Sequence, residues 1–320
     1  MQTQTRRIEG SDGISLHLST WSPDDPTQVR GVIQLLHGQG EYSDRYRHMG
    51  DYLTGKGFVV YANDHRGHGW TVFGQPQGAR DEHCLPGHMA DKDGWQKAMD
   101  DQGVIHRLIR KEHPDRHLTI LGHSMGSFMI QDLLIQDSSR WDAAVLLGSA
   151  GGALTMERRV LEQIIRLQCA VKGARAQATW SDYLIMKSFS REVKVEKYHS
   201  EWLTHDPAIY IPADSDPMMD FMMTARHWLD FSKFAKSRTN PANIAKVRSG
   251  LPLWIASGTA DPISKNGKAT AALAASYKDA GLSDVTLKLY DDMRHELHNE
   301  IIREEFFDDL NLWLQAQMAA

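Results

Sequence analysis

Six short apolar runs, separated by helical or loop stretches, constrain this chain more than any other feature. They are VRGVIQLLHG from Val29, FVVYAND from Phe58, LTILG from Leu118, AAVLLGSA from Ala143, LPLWIASG from Leu251 and VTLKLYD from Val285. A strand that is apolar on both faces must be covered on both, which is the condition of a parallel sheet. Between the runs lie stretches of helical period, at about 44–57, 92–112, 127–137, 265–280 and 299–317. Strands alternating with helices in this way build a mostly parallel central sheet with helices on both faces, an α/β fold. Upstream, residues 5–9 and 14–20 alternate around Ser11-Asp12-Gly13 and predict an antiparallel hairpin.

The alternation breaks once. Residues 151–249 contain no clear strand but many large apolar side chains, among them Trp180, Tyr183, Met186, Trp202, Tyr210, Met218, Met219, Met222, Met223 and Trp228. A connection that long inside a compact domain needs structure of its own. The expected organisation is therefore a core made of residues 1–150 and 250–320, with 151–249 as an inserted, mostly helical cap.

The length, 320 residues, suits one such core plus an insertion. A net charge of −5 argues against a nucleic-acid partner, which needs a concentrated basic face. The two cysteines, Cys84 and Cys169, are too few for a disulfide framework and suit a reduced interior. The polar start MQTQTRRIEGSDG has no apolar segment of the kind a signal peptide needs. No apolar run approaches the ~18 residues of a membrane span. The expected location is cytoplasmic, with peripheral contact at a membrane surface through a patch on the cap left open. His83, Cys84 and His88 lie close together, but no C-x-x-C pair or H-E-x-x-H helix accompanies them, so no metal is expected.

The sharpest local signal is Gly122-His123-Ser124-Met125-Gly126, which follows the run LTILG and opens a helix. That context is the one a G-x-S-x-G nucleophile elbow requires. The turn forces Ser124 into strained backbone geometry, and side chains at the two glycines would collide with neighbouring elements. It lifts the hydroxyl to the carboxyl edge of the sheet and sets the Met125 N–H at a helix N-terminus. The bland alternative is a glycine-rich turn after any strand.

A serine hydroxyl is a poor nucleophile without a base, and the base needs an orienting carboxylate. Asp261 follows the fifth run, in Gly258-Thr-Ala-Asp261-Pro262, and His295 follows the sixth, in Asp291-Asp-Met-Arg-His295-Glu-Leu-His298. The order Ser, acid, His matches this type of site. Asp261 reads alternatively as a helix cap or turn residue, Asp291 or Asp292 as the carboxylate, and His298 as a rival base or a structural partner of the last helix. A second oxyanion donor is expected from the loop after the first run, His37-Gly-Gln39-Gly-Glu41-Tyr42, with the Gln39 N–H as candidate beside that of Met125.

HGQGEYSDRY, ANDHRGHG, GHSMG, GTADPIS and RHELHNE occur in that order from about residue 31 to 300. As a set they resemble the monoacylglycerol lipase and lysophospholipase branch of the α/β-hydrolases, of the serine aminopeptidase S33 type. The resemblance implies Ser124 as nucleophile, Asp261 as acid, His295 as base, and the Gln39 and Met125 amides as oxyanion donors. It also implies an inserted cap, no cofactor, and a monoacylglycerol or lysophospholipid as the small ester or lipid substrate. Two alternatives stay beside it: a short-chain carboxylesterase of broad specificity, and a non-catalytic ligand-binding relative. Asp64-His-Arg-Gly-His-Gly reads as a structural brace for the HGQGE loop. The chain departs from the pattern at Ser127, where relatives often carry glycine, and at residues 70–95, which are longer than the corresponding stretch of vertebrate lipases.

Overall fold

A computed structural model describes residues 1–75, 85–151, 156–179, 193, 195 and 197–319. Their strands are β1 (Gln2–Glu9), β2 (Ser15–Ser22), β3 (Gly31–Leu36), β4 (Phe58–Asn63), β5 (His117–His123), β6 (Ala143–Leu147), β7 (Leu253–Gly258) and β8 (Val285–Tyr290). Their helices are α1 (Arg47–Gly55), α2 (Gly69–Phe73), α3 (Gly94–Glu112), α4 (Met125–Asp137), α5 (Met156–Lys172), α6 (Pro207–Ala213), α7 (Ala225–Arg238), α8 (Pro241–Ile244), α9 (Lys268–Asp279) and α10 (Arg303–Ala319).

One sheet runs in the order β1-β2-β4-β3-β5-β6-β7-β8. From β4 to β8 every pairing is parallel, and β1 and β2 join antiparallel at one edge. The six apolar runs are the six parallel strands, as their two-sided hydrophobicity requires. The hairpin is longer than its alternation predicts, because the exposed start of β1 is held by pairing Gln2 through Glu9 against β2. Its docking onto β4 was not readable from local pattern.

Side-chain alternation along the strands divides the core in two. Val32, Leu36, Leu118 and Ile120 pack on one face with Ile105, Met129, Leu133, Leu273 and Tyr277 from α3, α4 and α9. Ile33, Leu35, Val145 and Trp254 pack on the other with Met49, Leu53, Phe306 and Leu310 from α1 and α10. Helices thus cover both faces. All the parallel strands end at one edge, and the loops leaving β3, β5, β7 and β8 carry the motifs identified above.

Between β6 and β7 the described residues form helices and short turns, with a single isolated bridge between Gln177 and Thr224. Ile165, Ala178, Met223, Ala225 and Trp228 make a small apolar cluster of their own there. Trp180, Tyr183 and Met186 lie outside the described residues. No helix among the described residues is long and apolar enough to cross a membrane.

Candidate active site

Ser124 stands between β5 and α4 with φ 49° and ψ −117°. That backbone is costly for a residue with a side chain and persists only where the surroundings enforce it. Here the enforcement is visible. A Cβ on Gly126 would lie 2.2 Å from the Leu36 carbonyl oxygen, and one on Gly122 would lie 2.6 Å from the Gly126 carbonyl carbon. The two glycines let α4 start directly against the ends of β3 and β5. The Ser124 N–H donates to the Leu147 carbonyl at 2.9 Å, which ties the turn to the end of β6.

His295 lies on the loop after β8 and Asp261 on the loop after β7. His295 Nδ1 donates to Asp261 Oδ2 at 3.0 Å, and both side chains are buried. Asp261 also accepts from Ser257 Oγ and the Ile263 N–H. Burial alone would push the Asp261 carboxyl up, but the charge and hydrogen bond of His295 outweigh it and the carboxyl titrates below its usual range. Burial would likewise lower His295, but the Asp261 charge and hydrogen bond outweigh it and hold the imidazole above its ordinary value. The other ring nitrogen, Nε2, is buried and has no hydrogen-bond partner among the described residues. His295 packs against Gly148, the residue after β6: a Cβ there would lie 2.8 Å from His295 Cε1.

The HGQGE loop closes the remaining side. A Cβ on Gly38 would lie 3.2 Å from Ser124 Cβ, so this backbone runs against the nucleophile elbow. Among the described residues, neither the Gln39 nor the Met125 amide donates to another backbone group. The 64–69 loop braces this one, since the His65 N–H donates to His37 Nε2 at 2.9 Å. Asp64, which burial raises to about 6, accepts from the Ser43 and Trp70 N–H groups.

The rival residues are placed elsewhere. Asp291 accepts from Thr259 Oγ1, on the exposed side of the loop. His298 is buried, stacked on Tyr46 at 4.3 Å and set 4.9 Å from the His123 ring. Ser127 donates to the Ser124 carbonyl at 2.6 Å, so the departure from glycine adds a hydrogen bond behind the elbow. His83 and Cys84 lie outside the described residues. His88 meets Thr224 and Asp91.

Sequence reasoning missed a buried polar hub. Glu41 accepts from the Gly38 N–H, the Tyr46 hydroxyl, Arg45 and His123 Nδ1. Arg45 also pairs with Glu296, beside His295. His123 Nε2 faces the His295 carbonyl at 3.3 Å. One carboxylate thus links the HGQGE loop, the turn at Ser124 and the loop that carries His295. Glu41, His123 and His298 are also the described residues that bring three metal-ligating side-chain atoms within 4.8 Å of one another. The hydrogen bonds just named already occupy Glu41 and His123. The signal available in sequence was the Glu of HGQGE and the His of GHSMG, which a motif-by-motif reading treats as spacers.

The architecture is that of the α/β hydrolases. A thermostable carboxyl esterase from Bacillus coagulans superposes with a TM-score of 0.88 at 23% identity over 99% of each chain. The monoglyceride lipase of Saccharomyces cerevisiae superposes at 0.69 with 22% identity, over 99% of this chain and 95% of that one. Within that fold, residues 27–302 match the serine aminopeptidase S33 family model, and the chain belongs to that family. Its curated relatives include the monoacylglycerol lipase of Mycolicibacterium smegmatis, 24% identical over 97% of this chain and 96% of the relative.

Proposed function

We propose that this carboxylic-ester hydrolase works through an acyl-enzyme on Ser124, with His295 as base and Asp261 as its orienting acid. The observation that carries the reading is the strained Ser124 at the sheet edge beside a buried His295–Asp261 pair. His295 Nε2 takes the Ser124 proton as Oγ attacks the ester carbonyl. The Gln39 and Met125 amides receive the oxyanion, a term commonly worth ~10²–10³ in kcat per donor. The tetrahedral intermediate collapses, and the alcohol leaves with the proton from His295. Water then attacks the acyl-enzyme through the same base and releases the acid. Ser124→Ala should lower kcat on the order of 10⁶-fold. Because Asp261 holds His295 above its ordinary value and the base must be neutral, activity should rise with pH through a point above about 6.5.

We further propose monoacylglycerols or lysophospholipids as substrates, with residues 151–249 as the cap over the acyl chain. The kinship to lipases named for monoacylglycerol supports this, as do the apolar residues of the insertion. Contact with a lipid surface is assigned to α5, which exposes Val160, Leu167 and Val171. These are spaced for one helix face. A chain-length series of glycerol monoesters tests the substrate: kcat/KM should climb from acetyl to long acyl. An optimum at acetyl would favour a short-chain carboxylesterase.

A further inference from the structure

Five residues of the insertion, Glu201 to His205, are laced to the loop that carries His295. Arg294 Nη1 donates to the Glu201 and Thr204 carbonyls at 2.6 and 3.1 Å. The Glu296 N–H donates to the Leu203 carbonyl at 2.7 Å. Thr204 Oγ1 donates to the Asn299 carbonyl at 2.8 Å, and His205 Nδ1 meets Glu300 at 2.8 Å. The residues on both sides of His295 are therefore held by this segment. In its middle, Trp202 lies with its indole stacked on the His295 imidazole, centroids 5.0 Å apart and planes 26° apart.

The hydrogen bond to Asp261 fixes one point of the imidazole but does not by itself set the ring's rotation about that axis. His123, on the other contact, is tilted by 50° at 4.5 Å and does not define a plane. Trp202 does. An indole face also carries the partial negative charge that attracts a cation set over it. We infer that Trp202 is a positioning residue for His295: its face fixes the plane of the imidazole and stabilises the positive charge the ring acquires while it holds the Ser124 proton. This rests on the reading of His295 as the base.

The other groups facing His295 are Asp261 on the β7 loop, Glu296 beside it, Glu41 on the HGQGE loop and His123 on the elbow. None of these is itself substituted in a Trp202 variant, so the Phe and Leu variants differ from each other only in the face set against the imidazole. Trp202→Phe keeps an aromatic face and Trp202→Leu keeps the apolar bulk without one. Leucine should lower kcat about 3- to 30-fold and move the acid limb of the kcat/KM profile to lower pH. Phenylalanine should stay within about threefold of wild type with the limb in place. If Trp202→Leu melts far below wild type, Trp202→Met serves in its stead. A second readout is NMR titration of the His295 imidazole in the Ser124→Ala background, with and without Trp202→Leu; the ring should titrate at lower pH without the indole. The inference is overturned if leucine and phenylalanine behave alike, if only KM moves, or if the NMR titration does not shift. The parent reading fails separately, if His295→Ala retains wild-type turnover.

Discussion

Two helices between β6 and β7, α5 and α7, are held in opposite ways. α7 is fastened to the core along its length. Arg238 pairs with buried Asp132, which also accepts from Trp95 Nε1. Asp230 accepts from the Gly94 N–H, and His227 Nε2 meets Gln39 Oε1 at 3.1 Å. α5 leans on α7 through Ile165 and the Glu162–Lys236 pair, and turns Val160, Leu167 and Val171, at 55%, 67% and 74% exposure, outward. One helix is thus a structural wall that reaches the HGQGE loop. The other offers an apolar face that the described residues leave uncovered.

The comparison is broken most severely at Arg238. Removing it strands a buried carboxylate, which typically costs about 3–5 kcal/mol. Arg238→Met should lower Tm far more than any change on the outward face of α5, and calorimetry would show it. Next comes acid. Burial holds His37 well below its ordinary value, His68 at about 4, and His65 and His227 at about 3, with repulsion from neighbouring imidazoles adding to it at His37, His65 and His227. The unfolded chain binds more protons than the native one once pH drops below about 6.5. Stability is therefore full above that point and falls as pH descends toward the native values. Urea titrations from pH 7 to 4 should show a steep loss, smaller in His227→Gln, where the α7 contribution is gone. The same variant frees the Gln39 side chain. If the Gln39 amide receives the oxyanion as proposed, loosening its loop should cut kcat by up to ~10², with KM less affected. Smallest in stability is the outward face: Leu167→Ser with Val171→Ser should stay within about 0.5 kcal/mol. Sedimentation with anionic vesicles should nonetheless fall, and unchanged vesicle binding would remove α5 as the lipid contact.

Much of this was legible in the sequence, and the reason is physical. Buried parallel strands must be apolar on both faces, so six runs announced six strands. The elbow announced itself because only glycine fits at 122 and 126. The places of Asp261 and His295 just past strand ends suggested that the two side chains meet, and they do. What was not legible depends on partners distant in sequence. The Glu of HGQGE gives no sign of joining two strand ends, because the donor that does so, His123, lies 82 residues away. Trp202 is one of several aromatic residues in a segment without period, and its stacking exists only because the chain folds back onto the loop near residue 295. The short helix α2 and the docking of β2 on β4 were hidden for the same reason.

Ser124 as an activated nucleophile can be checked by peptide mass spectrometry after reaction with a fluorophosphonate probe. A single adduct should sit on the peptide holding Ser124, absent in Ser124→Ala and strongly slowed in His295→Ala. An adduct on another serine, or undiminished ester hydrolysis by Ser124→Ala, would contradict it.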